Sequence, residues 1–202
     1  MSKRILVVLI AVLGVVVLIA GLNGLQNRNQ EESSEEVSGM VTEVIIVPSE
    51  MPDRISLELP PGFEEKHSEA YDKYFVRDDA SVIVTGEKMT IKGIRLDEYT
   101  ASVKKQYEQT ADNYTLIQEQ TLSLSGGTQG TLLEFVYSII GTDVRQDMQC
   151  VTAVIVKDDR SYIVTCKSKK ETFSVYRASF LRMIEHITIA DADSEETTPS
   201  LG

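Results

Sequence analysis

Eighteen consecutive residues, Ile5 to Leu22, carry no charge and no strongly polar side chain. At about 1.5 Å of rise per residue, a helix of that length reaches nearly 30 Å, close to the thickness of a bilayer's hydrocarbon core. Lys3 and Arg4 precede the run, whereas the far flank carries only Arg28 before Glu31, Glu32, Glu35 and Glu36. Basic flanks stay on the cytoplasmic side, so this asymmetry predicts a cytoplasmic N-terminus at residues 1–4 and an extracytoplasmic remainder. A cleaved signal peptide is the main alternative, but its apolar region is usually about 7 to 15 residues long and ends at small residues spaced two apart. Around Ala20-Gly21-Leu22-Asn23-Gly24 that spacing is absent. The expectation is a single-pass signal anchor, a transmembrane helix over residues 5–22, with a buried core helix as the remaining reading.

Downstream the composition changes. Residues 23–40 are rich in Gln, Asn, Glu, Ser and Gly and hold too little apolar surface to offset the entropy of ordering, which marks a flexible acidic linker. Residues 41–190 form one domain-sized stretch, and residues 191–202 are an acidic, Ser/Thr-rich tail expected to be disordered. The net charge of −11 repels phosphate backbones, and no basic stripe offsets it, so nucleic-acid binding is not expected.

Within the domain, Val41 to Val47 is either a first strand or a stretch docked on an edge, closed off by Pro48 and Pro52. Ile55, Leu57 and Leu59 alternate with polar residues up to Pro60-Pro61-Gly62, the pattern of a half-buried strand ended by a turn, after which Phe63 folds back on the core. Tyr71 to Arg77 and Ser81 to Met89 flank Asp78-Asp79 and read as a hairpin. Leu96, Tyr99, Val103 and Tyr107 recur at helical spacing, with Asp97 and Glu98 in the first turn. Four strand-like runs follow, Tyr114 to Leu124, Gly130 to Ile140, Arg145 to Lys157 and Ser161 to Ser168, separated by short turn-rich segments that imply an antiparallel meander. Phe173, Tyr176, Phe180, Met183, Ile184 and Ile187 then stripe a closing helix, with Arg177, Arg182 and Glu185 expected on its solvent side.

Taken in order, an apolar strand ending in Leu57-Glu58-Leu59-Pro60-Pro61-Gly62-Phe63, a Leu96-x-x-Tyr99 helix start, a glycine turn before Leu132-Leu133-Glu134-Phe135, and Tyr162-x-Val164-x-Cys166 leading into the last helix resemble the PsbP-like superfamily over about Ile55 to Ile189. The resemblance implies an α+β fold, an antiparallel sheet sandwiched by helices (α/β/α), and a non-enzymatic accessory or assembly role. Two features depart from it: no cysteine near the apolar run can accept a lipid, and no tryptophan follows Pro-x-Gly.

The chemistry-bearing residues are sparse. Cys150 and Cys166 lie on consecutive strands, and the turn between them decides their relation. A three-residue loop Lys157-Asp158-Asp159 sets them directly opposite, as a cross-strand disulfide needs; a two-residue loop Asp158-Asp159 offsets them by one and leaves two free thiols on opposite faces. Alternation favours the first register, and both remain open. There is no Cys-x-x-Cys to suggest redox chemistry. Gly126-Gly127-Thr128-Gln129-Gly130 lacks the lysine and following helix of a phosphate loop and reads as a hairpin turn. His67 and His186 are too few for a multi-histidine metal site, and the acidic doublets Glu64-Glu65, Asp78-Asp79 and Asp158-Asp159 lack calcium-loop spacing and read as solvated turns. Lys167, Lys169 and Lys170 read as a charged strand edge that discourages aggregation.

No catalytic, cofactor or metal residue is nominated, and no cofactor is expected. The sequence-based expectation is a non-enzymatic binding or scaffold module of the cell envelope, held to the membrane by its N-terminal helix and meeting a protein partner. The alternatives are a carrier of a small apolar ligand, or an envelope enzyme built on a pair of carboxylates.

Overall fold

The computed structural model describes residues 54–89, 93–142 and 144–190. The apolar run over residues 5–22, the linker, the Val41 to Val47 segment and the acidic tail lie outside the described residues. Among the described residues no helix is long and apolar enough to cross a membrane.

In chain order the elements are β1 (Ile55–Ser56), β2 (Glu64–Glu65), β3 (Lys73–Arg77), β4 (Ala80–Lys88), α1 (Leu96–Thr110), β5 (Asp112–Ser123), β6 (Gln129–Ile140), β7 (Arg145–Lys157), β8 (Arg160–Lys169), α2 (Phe173–Glu185) and β9 (Thr188–Ile189). Seven strands form one antiparallel sheet in the order β2-β3-β4-β8-β7-β6-β5. The long β5–β8 runs form the expected meander, because each connection is a short turn that brings the chain back beside itself. Gly126 and Gly127 supply the left-handed backbone of the β5–β6 turn, with φ of 87° and 81°. Helix α1 closes the first half of the chain and lets β8 return beside β4.

One helix lies on each face of the sheet. Helix α2 buries Phe173, Phe180, Met183 and Ile184 against Val82, Val84, Val151, Ala153, Val164 and Cys166. Helix α1 buries Tyr99, Val103 and Tyr107 against Leu133, Phe135, Cys150, Val154 and Ile163 on the other face. The central strands are therefore covered twice, and β8 is buried without interruption from Ser161 to Ser168. This is an α+β fold with a helix–sheet–helix layering.

The first expected strand is shorter than the alternation suggests. Only Ile55 and Ser56 enter a ladder, pairing with Ile189 and Thr188 of β9, while Leu57 and Leu59 pack on the core from irregular backbone. Pro60 and Pro61 lack the N–H groups that would continue the ladder. The loop then folds Phe63 over α2, where its ring meets Phe180 edge-on at 6.0 Å between centroids. The Asp78-Asp79 turn is more than solvated: Asp79 Oδ2 accepts hydrogen bonds from Thr172 Oγ1 at 2.5 Å and from the Lys169 N–H at 3.2 Å, so the hairpin fastens the entry to α2.

Arg177 departs from its expected place. Its guanidinium does not face solvent alone: Nη2 donates to Glu134 Oε2 at 2.7 Å and Nε to Oε1 at 3.1 Å, across the gap between α2 and β6. Residue 177 lies one position from Tyr176 on the apolar stripe, and a long arginine reaches back over the sheet from there.

Candidate functional site

The described residues contain no cluster of three or more His, Cys, Asp or Glu able to hold a metal ion. His67 is exposed in the segment between β2 and β3, and His186 is exposed just after α2.

The relation of the two cysteines is settled by the β7–β8 turn. Lys157 pairs with Arg160, so the loop is the two-residue Asp158-Asp159, with Asp158 at φ 57°. Cys150 then faces Lys167, and Cys166 faces Val151. One sulfur lies in the α1 core and the other in the α2 core, so the cross-strand disulfide does not form and both thiols are free and buried. Burial pushes the Cys150 thiol up to about 12, with Lys167 opposing, and raises Cys166 well above the ordinary range. These are inert thiols.

Lys167 does not lie on a charged edge. Strand β8 is central, between β4 and β7, and Lys167 is only 5% exposed; Lys169 and Lys170 alone are solvated. Its register partners are Ser81 on β4 and Cys150 on β7. Strand alternation puts it on the face covered by α1, and there the core becomes polar. Thr152 Oγ1 and Thr165 Oγ1 bond each other at 3.2 Å, and the buried Tyr107 hydroxyl lies beside them. Tyr107 and Tyr137 interact electrostatically with Cys150, Tyr71 interacts with Tyr107 and Tyr137, and burial raises each of these phenols, so all are neutral near pH 7. Burial also lowers Lys167, with Cys150 opposing.

Tyr71 links this buried group to the surface. Its ring packs on Ile83, the residue two before Thr85 and two after Ser81 on the same face of β4, and lies 5.7 Å from the Tyr74 ring. Tyr71 also lines a recess of roughly 270 Å³ with Glu65, Lys66, His67, Asp72 and Tyr74. Asp72 is fixed in that wall, because its Oδ2 accepts the Gly86 N–H at 2.6 Å. The sequence carries one signal for this site, a lysine inside an apolar strand-like run, and the exposed lysines that follow mask it.

No family model matches the chain, and no curated protein does. Solved structures do. The solution structure of cyanobacterial PsbP (CyanoP) from Synechocystis superposes with a TM-score of 0.51 at 13% identity, covering 70% of this chain and 90% of that one. The fold is PsbP-like. Two more matches are LpqN of Mycobacterium tuberculosis, described as involved in cell envelope biogenesis (14% identity, 68% of this chain and 83% of that one, TM-score 0.48), and the Ran-binding protein Mog1p of Saccharomyces cerevisiae (15% identity, 71% and 94%, TM-score 0.48). At these identities the likeness to PsbP is one of fold. It does not assign the recess or Lys167.

Proposed function

We propose that this chain is a membrane-tethered, extracytoplasmic binding module of the cell envelope, with no catalytic role, that engages a protein partner. The observation that carries the binding half is the recess beside β3, where Tyr71 and Tyr74 present aromatic surface among Glu65, Lys66, His67 and Asp72. Aromatic faces rimmed by both charge signs suit a polypeptide better than a phosphate-rich or purely apolar ligand. The tether half is supported by the uncharged run over residues 5–22 and its one-sided basic flank.

Two measurements test the reading separately. A C-terminal tag on the full chain should be degraded when protease is added to intact protoplasts; a protected tag overturns the sidedness. In-cell cross-linking of the full chain should capture a discrete protein adduct that is lost in Tyr74→Ala. Survival of the same adduct in that variant removes the recess as its binding surface.

A further inference from the structure

Strand β5 ends one side of the sheet, and among the described residues no backbone hydrogen bond reaches its outer edge. The N–H and C=O groups that β6 does not take are therefore open to pairing with another strand. Gln118 to Ser123 are matched one for one with Glu134 to Gln129, so this part of the edge is regular, and just before it Ile117 sits at a bulge, 52% exposed. The opposite edge, β2, offers only the two exposed acids Glu64 and Glu65. In the regular part of β5 the one acid, Glu119, is already paired with Lys104. The chain also holds a run suited to such an edge. Val41 to Val47 (VTEVIIV), outside the described residues, is β-branched at every position except Glu43, a composition that fits pleated backbone.

We propose that Val41 to Val47 adds to the outer edge of β5 as an eighth strand of the sheet, parallel to β5 and with Val47 beside Ser123. The place where the described chain begins supports this. Ser56 pairs with Thr188, Thr188 is three residues from Glu185, and the Glu185 carbonyl accepts the Ser125 N–H at 3.2 Å. Those steps put Ser125 within about 23 Å of Ser56, and the nine residues that follow Val47 up to Ser56 extend to about 30 Å. The Ser123 end of β5 is within that reach, which favours Val47 there and Val41 further back along the strand. A parallel strand on the edge of an otherwise antiparallel sheet is an ordinary mixed arrangement. So short a connection holds the run near the edge at an effective concentration on the order of 1 mM, whereas a second copy of the chain carries the same net charge of −11 and is repelled. The added strand rests neither on the recess nor on the membrane anchor.

The test uses the purified full chain in detergent and hydrogen exchange read by mass spectrometry. A peptide covering Gln118 to Ser123 should exchange at least about ten-fold more slowly than in the double variant Val44→Pro with Ile45→Pro. Adjacent prolines remove one N–H from each side of the added strand, so one of them falls on the side that meets β5. A β7 peptide in the same samples reports that the domain stays folded. Oxidation of a chain carrying Val47→Cys and Ser123→Cys should then form a link within one molecule, because Cys150 and Cys166 are buried. Equal exchange in the two proteins overturns the proposal, and so does a link from Val41→Cys to Ser123→Cys in preference to the one from Val47→Cys. Links between two molecules, or protection that rises with protein concentration, assign the edge to a second copy and overturn it as well.

Discussion

Arg177 on α2 and Glu134 on β6 form a two-pronged ion pair in which the glutamate side chain is 5% exposed and the arginine side chain 42% exposed. Gln149 Nε2 adds a third donor to Glu134 Oε1 at 2.8 Å. The pair fastens the closing helix to the sheet at a point where the strand face is polar.

Removing one partner leaves the other to bear its burial cost. Arg177→Ala should destabilise the protein by about 1 to 3 kcal/mol in denaturant melts, less than a fully buried pair because solvent screens the guanidinium. Arg182→Ala, at an exposed position on the same helix, should change stability by less than about 0.5 kcal/mol. The double variant Arg177→Met with Glu134→Leu should recover part of the loss, since no buried charge then remains. Equal effects of Arg177→Ala and Arg182→Ala would mean that the pair contributes nothing.

Phe180 is fully buried in the middle of the α2 stripe, with its ring beside those of Phe63, Phe173 and Tyr176. Phe180→Ala should cost about 3 to 5 kcal/mol through lost burial and a residual cavity. Val175→Ala, at an exposed site on the same helix, is the control and should be nearly silent.

The two thiols should withhold themselves from solvent. Reaction with a thiol reagent at pH 8 should be slow in the folded protein and should reach two equivalents after denaturation, because Cys150 and Cys166 are both buried and free. A reducing agent should leave the denaturant midpoint unchanged. A midpoint that falls on reduction would indicate a disulfide and a register other than Lys157 opposite Arg160.

Alkaline stability follows from the same burial. The Cys150 thiol rises from 9.0 unfolded to about 12 folded, so its contribution is complete below pH 9 and is lost as pH climbs toward 12. Cys166 and the buried phenols of Tyr71, Tyr107 and Tyr137 shift in the same direction. Lys167 acts oppositely: its folded value lies below the ordinary 10.5, so stability gains with pH across that interval. The several raised groups outweigh the one lowered amine, and melts should show stability falling steadily above about pH 9. Constant stability to pH 11 would contradict the burial of these groups.

Much of the fold is legible in the residue pattern, and most of what is not has a common cause. Arg145–Lys157 and the fifteen-residue α1 follow directly from strand runs and helical spacing. The register of β8 on β7 does not, because alternation fixes a strand only when one face is wet. Here Cys150 and Val151, and likewise Thr165 and Cys166, are buried side by side on opposite faces, so sliding by one residue exchanges one interior for another. The same two-sided burial hides Lys167, whose neighbours in sequence look like an edge while its neighbours in space are Ser81 and Cys150. Arg177 escapes for a different reason: helical spacing places its Cα, but a long side chain can lean back to a buried carboxylate that lies 43 residues away in sequence.

The pairing of Ile55 with Ile189 has a consequence for chain connectivity. The first and last strands of the described domain are hydrogen-bonded neighbours, and the Ala190 N–H donates to Arg54 O at 2.9 Å just beyond them. The backbone is in effect a loop that nearly closes on itself, so the place where it is cut is largely arbitrary. A circular permutant that joins these two ends through a short bridge and opens at Gly126-Gly127 would keep every strand pairing of the sheet and lose only one exposed turn.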